Sequence, residues 1–147
     1  MELQKKLLDD MNHALKSGDK LILETIRMLR AQIKNESISK GVELTDDDVI
    51  VVLSREAKRR KESIEMYQQG GREDLVRNET RELEIISSYL PVSLTTEELT
   101  GIVEEAIQET GAAGLNDMGK VMGFVMPKVR GRADGKTVQE MVKKMLG

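Results

Sequence analysis

Apolar residues recur every three to four positions along nearly all of this 147-residue chain, and no stretch alternates convincingly between apolar and polar. A period near 3.6 is that of one helix face and a period of two is that of a strand face, so the pattern restricts the chain to helices packed on helices. Leu3, Leu7, Met11 and Leu15 mark a first helix, and Ile22, Ile26, Leu29 and Ile33 a second. Gly18 and Asp19 separate the two as a terminating glycine and an N-cap. Lys40-Gly41 closes the second helix. Thr45 opens a third, expected from about Asp46 to Gln69. Asp46, Asp47 and Asp48 fall in its first turn, where acids suit the positive end of the helix dipole, so capping rather than metal binding is their expected use. Gly70-Gly71 breaks the pattern, and a fourth helix is expected from about Arg72 to Tyr89.

Pro91 is the clearest boundary, because it restricts Leu90 and cannot itself continue a helix. Thr95 and Glu98 form a capping box for a fifth helix, Thr96 to Thr110, which stops at Gly111. Asn116 is expected to cap a sixth helix, with Met118, Val121, Met122 and Val125 inward and Pro127 as its end. Asp134 is expected to cap a seventh, with Val138, Met141, Val142 and Met145 inward. The fold class expected is all-α: an N-terminal domain of about four helices over residues 1–91, and a small three-helix domain over 92–147. A unit of that second size is marginal alone.

There is no cysteine, which removes disulfides, thiolate chemistry and Cys-based zinc sites. No apolar h-region follows Met1-Glu2-Leu3-Gln4-Lys5-Lys6, and no apolar run approaches the roughly 20 residues a membrane span needs. The expectation is a cytoplasmic protein without a membrane partner. Net charge is −3, but it is unevenly placed: residues 91–117 carry six acids and no base, whereas 118–147 carry seven bases and two acids. An acidic protein can still present a local basic site. Tyr67, Tyr89 and Phe124 are the only aromatics. Any nucleic acid would therefore be held by its backbone and shape rather than by base stacking.

Catalytic constellations are absent. His13 is the single histidine, no carboxylate pair stands out, and no ligand cluster implies a metal or other cofactor. Gly114 to Val121 follows the P-loop pattern until its last position, where Val121 replaces the metal-binding Ser or Thr. Gly131 to Thr137 has the Gly-Lys-Thr ending but is one residue short. The cations between Arg55 and Lys61 alternate with acids at helical spacing and read as a solvated helix surface.

What remains is the segment Gly119 to Lys136, with four glycines, five cations and one acid. Gly119 and Gly123 fall on one face of the sixth helix, where they permit close approach of another backbone. Lys128, Arg130 and Arg132 alternate along an expected loop from Pro127 to Ala133, and would project to one side if that loop were extended. The loop leads through flexible Gly131 into the N-terminus of the seventh helix, itself an anion site. Lys120 and Lys136 flank it. Such an arrangement suits phosphate. Solvated cations beside packing glycines are the alternative reading of the same residues.

The whole segment, followed by an amphipathic helix, resembles the YqeY family, and is similar to the tail domain of the B subunit of the tRNA-dependent glutamine amidotransferase, GatB. Thr25 to Ala31, Glu56 to Ile64, Gly71 to Leu75 and Tyr89-Leu90-Pro91 resemble the family as well, so the likeness spans the chain. It implies an all-helical two-domain fold and kinship with a domain that helps hold tRNA without performing chemistry. A carbon–nitrogen ligase association, with glutamine as amide donor, is implied by homology to the assembly and not by this chain's residues. The tail-domain motif falls on Gly119, Lys120, Gly123, Lys128, Gly131 and Ala133. One departure is Ala133-Asp134-Gly135, where the tail carries proline after the cap; Pro127 is more a feature of the standalone proteins.

The resulting expectation is a non-catalytic tRNA-binding accessory protein, with a possible protein partner in tRNA aminoacylation or amidation. Lys128, Arg130 and Arg132 would contact phosphates, Lys120 and Lys136 would assist, and Gly119, Gly123 and Gly131 would allow close approach. The alternative is a protein-interaction module docking through its Gly- and Met-rich C-terminal helices.

Overall fold

A computed structural model describes residues 2–147. Among these the chain is all-α, with seven α-helices, one 3₁₀ turn and no strand. It divides between Leu90 and Pro91 into two compact units.

The first unit contains α1 (Glu2–Ser17), α2 (Lys20–Lys40), α3 (Asp46–Gln69) and α4 (Glu73–Ser87). Local signals set each boundary. Asp19 accepts a hydrogen bond from the Ile22 amide at 3.1 Å and starts α2. Gly41 ends it in the left-handed region at φ 70°, where its amide reaches Ser37 and Ile38 carbonyls. Thr45 and Asp48 form a reciprocal capping box at α3, so Asp48 is used as the sequence suggested, while Asp46 accepts from the Leu3 amide of α1 at 3.3 Å. The core lies among Leu7, Ile26, Leu29, Val49, Leu53 and Ile86. On α1 the buried stripe runs through Leu7 to Ala14, while Leu15 is 57% exposed. A four-residue repeat gains about 40° on each step of a 3.6-residue helix, so the stripe read from the sequence rotates out of the core by its fourth member.

The middle of α3 departs from the solvated surface expected of it. Glu56 is only 3% exposed. Its two carboxylate oxygens meet Arg59 Nη1 at 3.1 Å and Arg60 Nη1 at 3.5 Å. Arg60 Nε reaches across to α4, to Glu82 at 3.0 Å and Glu79 at 3.5 Å. Ala57 beside them is buried. The helix is polar in composition but packs over α4, and the charges that face inward neutralise each other. Burial, followed by the charge of Glu82, holds the Glu79 carboxyl above its ordinary range, with Arg60 opposing.

The second unit contains α5 (Thr96–Thr110), a 3₁₀ turn (Leu115–Asp117), α6 (Met118–Val129) and α7 (Gly135–Leu146). Thr95 and Glu98 form the capping box, and Gly111 at φ 66° terminates α5. Leu99, Val103 and Ala106 from α5, Val121, Val125 and Val129 from α6, and Val138 and Val142 from α7 make one buried cluster. Pro127 does not end α6 as expected, because the helix continues to Val129. Proline removes the donor that would serve the Gly123 carbonyl, but Gly123 is exposed and water can serve that group. The full burial of Val129 holds the last turn in place. Asn116 is likewise not the cap; it lies in the 3₁₀ turn, and α6 follows Asp117.

Candidate nucleic-acid interface

The exposed face of α6 is the reverse of the valine stripe. Val121, Val125 and Val129 are fully buried, while Gly119, Lys120, Gly123 and Pro127 face solvent. A β-carbon built at Gly119 or Gly123 meets nothing within 4 Å. Among the described residues, no packing within the second unit therefore requires either glycine, although glycine costs a helix interior, as at Gly123, roughly 1 kcal/mol relative to alanine.

The cations around this face are held differently from one another. Lys120 is exposed, with its ammonium 3.9 Å from Asp117 one turn earlier. Lys128 sits in the last turn of α6, where its ammonium stands 4.2 Å from the centre of the Phe124 ring and 3.6 Å from a carboxylate oxygen of Glu105 on α5. The ring is one turn before the lysine, the spacing at which helix neighbours meet. Arg130 follows the helix with an extended ψ of 124°, exposed, and the guanidinium has no partner among the described residues. The backbone then turns through Gly131 at φ 76°, a conformation that favours glycine.

Arg132 is occupied within the fold. Its amide donates to the Val129 carbonyl at 2.8 Å, its carbonyl accepts from the Leu94 amide at 2.9 Å, and its Nε donates to the Val92 carbonyl at 3.1 Å. The extended row of Lys128, Arg130 and Arg132 projecting to one side is thus corrected: a helical turn, a left-handed glycine and a structural arginine occupy those positions. The α7 N-terminus also differs from an open anion site. Asp134 caps it and accepts the Lys136 amide at 3.4 Å, so the protein's own carboxylate stands where an anion was expected. The Lys136 side chain is exposed beside it.

The structure places Gly119, Lys120 and Gly123 on the solvent side of α6, turns Lys128 in the last turn toward Glu105 of α5, sets Arg130 just past the helix end, and gives Arg132 to the attachment of residues 92–94. The Phe124–Lys128 pair was legible as an i,i+4 spacing. Val92 and Glu105, which hold Arg132 and Lys128, carry no local signal. The methionines Met118, Met122, Met126, Met141 and Met145 pack against the valine cluster, which is the ordinary use of methionine at helical spacing. Neither partial P-loop follows a strand, and Gly119 and Lys120 are already helical.

A family model described as Yqey-like protein matches residues 4–146. An altered inheritance of mitochondria protein 41 from Pyrenophora tritici-repentis is 30% identical over 146 residues, covering 97% of this chain and 80% of that protein. A protein of the same name from Lachancea thermotolerans is 33% identical over 118 residues, covering 76% of this chain and 63% of that one. One of the subunits of a glutamyl-tRNA(Gln) amidotransferase, from Sulfurisphaera tokodaii, is 42% identical over 78 residues, which is 50% of this chain and 12% of that protein. The first two relatives are named as mitochondrial, and this overturns the cytoplasmic expectation. The match of the family model over almost the whole length decides identity: the chain belongs to the YqeY family.

Proposed function

We propose that the second unit binds the phosphate backbone of tRNA through the exposed face of α6, and that the protein is an accessory factor without catalysis of its own. The observation that carries this reading is the pair of exposed helix glycines, Gly119 and Gly123, with Lys120 on the same helix and Lys128 and Arg130 exposed at its end. Their helix-weakening effect is not offset by any contact inside the second unit among the described residues, so close approach from outside is what they provide. Backbone approach flanked by cations is the chemistry of phosphate recognition without base reading. Similarity to part of a glutamyl-tRNA(Gln) amidotransferase supports tRNA as the substrate class. The small share of that protein covered supports a binding role rather than a carbon–nitrogen ligase activity in this chain. Lys136 assists from the α7 N-terminus, Gly131 sets the turn that presents Arg130, and Arg132 positions the segment that precedes α5.

The test is a gel shift with tRNA at two salt concentrations, using the intact protein, a Lys120/Lys128/Arg130→Ala variant and Gly123→Leu. Binding at low salt that weakens at high salt is expected. The triple variant should lose at least ten-fold, with a salt slope smaller by about one for each phosphate contact removed. Gly123→Leu should fold at least as stably as the parent yet bind tRNA more weakly. No binding at low salt, or binding indifferent to both variants, overturns the proposal. Ammonia release from glutamine by the protein alone would overturn its non-catalytic part. A protein-docking role for the same face is the second reading, and partners retained after nuclease digestion but lost in Gly123→Leu would favour it.

A further inference from the structure

The first unit holds a groove of about 700 Å³ between α1, α2 and the turn that leads to α3. Its apolar floor is backed by the buried Leu7, Ile33 and Leu44, and the apolar side chains it offers to an occupant are Leu8, which is 38% exposed, and Ala31. Its rim is basic. Lys5 stands on α1, and Arg27, Arg30 and Lys34 follow one another along α2 at spacings of three and four residues. Glu43 is the one acid that lines it among the described residues. Arg30 Nη1 donates to the Met11 sulfur at 3.3 Å and has no ion-pair partner among the described residues. Lys5, Arg27 and Lys34 have no ion-pair partner among the described residues, in contrast to Lys40 and Arg55 nearby, which pair with Asp48 and Glu36. Further along the α2 face, one turn past Lys34, Ile38 is 68% exposed.

We infer that this groove is a docking site for an acidic amphipathic helix of a partner protein. Charge and shape together select that occupant. The three α2 cations span about 10 Å of helix axis, two turns, so they match acids repeated along a second helix rather than the single charge of a fatty acid. The apolar floor requires apolar side chains on the occupant, which a phosphate backbone lacks. The concave form receives a rod, whereas a lipid surface meets flat or convex faces. Helix-in-groove recognition uses this combination of apolar anchors with complementary flanking charge. The α5 helix of a second copy does not qualify, since its acids are exposed but Leu99, Val103 and Ala106 are committed to its own core. The inference rests on the first unit alone and is independent of the tRNA reading.

The experiment is a backbone amide NMR titration of the full chain with a capped, alanine-rich peptide of about 18 residues. Leucines form one stripe of the peptide and glutamates flank it; two controls replace either the leucines or the glutamates with glutamine. Shifts centred on Lys5, Leu8, Arg27, Ala31 and Lys34 are expected, with both controls at least ten-fold weaker. The exposed double substitution Arg27→Glu/Lys34→Glu should weaken binding at least ten-fold with an unchanged circular dichroism spectrum. Leu8→Gln should also weaken it, through the apolar side. No shift at millimolar peptide, shifts lying elsewhere, controls that bind equally well, or undiminished binding by the charge-reversed variant overturns the inference. So does a groove that responds to tRNA or to phosphatidylglycerol vesicles but not to the peptide.

Discussion

The Nε of Arg132 donates to the carbonyl of Val92 at 3.1 Å, while the Leu94 amide donates to the Arg132 carbonyl at 2.9 Å. A residue between α6 and α7 therefore fixes the segment that precedes α5, 40 positions earlier. Arg132→Ala keeps the backbone bond and removes the side-chain bond. A loss of about 1 kcal/mol is expected, seen as a lower thermal midpoint and faster hydrogen exchange of the Leu94 amide. Undiminished protection of Leu94 would show that the side chain contributes nothing to the attachment.

Gly119 lies in the first turn of α6 and Gly123 in its interior, both with open space where a β-carbon would stand. The Gly119→Ala/Gly123→Ala variant is expected to gain on the order of 1 kcal/mol, most of it from Gly123. Chemical denaturation checks it. A loss of stability would mean that the helix uses the missing β-carbons internally.

Tyr89 donates its hydroxyl to a carboxylate oxygen of Asp10 at 2.5 Å, which ties the chain just after α4 to α1. Burial first, and then the bond and charge of Asp10, push the phenol well above its ordinary value. The unfolded chain therefore releases this proton at lower pH than the folded one. The associated stability is present below the ordinary phenol value near 10 and is lost as pH rises above it. Tyr89→Phe should cost about 1–2 kcal/mol at neutral pH and should flatten the alkaline end of the stability curve.

At the start of α5 the Glu98 carboxylate accepts from the Thr95 amide at 3.1 Å, and the Thr95 hydroxyl accepts from the Glu98 amide at the same distance. The Thr95 hydrogen bonds hold the Glu98 carboxyl below its ordinary value. The capping box thus stabilises above that ordinary range and weakens as pH falls through the lowered value. Thr95→Ala should destabilise by about 1 kcal/mol at pH 7 and by less in acid. Paired thermal melts at the two pH values measure this.

Glu56 is buried between Arg59 and Arg60. Glu56→Ala leaves Arg60 with Glu79 and Glu82 but takes a carboxylate from an enclosed network, and should cost about 2–4 kcal/mol. Arg59→Ala, which removes the more exposed partner, should cost less than about 1 kcal/mol. Equal effects would mean that burial is not what makes this network matter.

Helix class and most helix ends were legible in the sequence because their causes are local. Asp19, Thr45, Thr95 and Asp134 satisfy amides within three residues of themselves, and Gly41 and Gly111 take the left-handed turn that ends α2 and α5. The valine stripe of α6 fixed which face of that helix is left to solvent, and so which side presents Gly119 and Gly123. Three things were decided by tertiary structure alone. The helix passes through Pro127 because the distant residues of α5 and α7 bury Val129. Arg132 is drawn into the fold by backbone carbonyls of residues that no spacing connects to it. Glu56 and Arg60 are packed over α4 although their own helix reads as a wet surface. A local pattern reports which face of an element is apolar. Which charges find a buried partner depends on contacts tens of residues apart, and those exist only once the helices have packed.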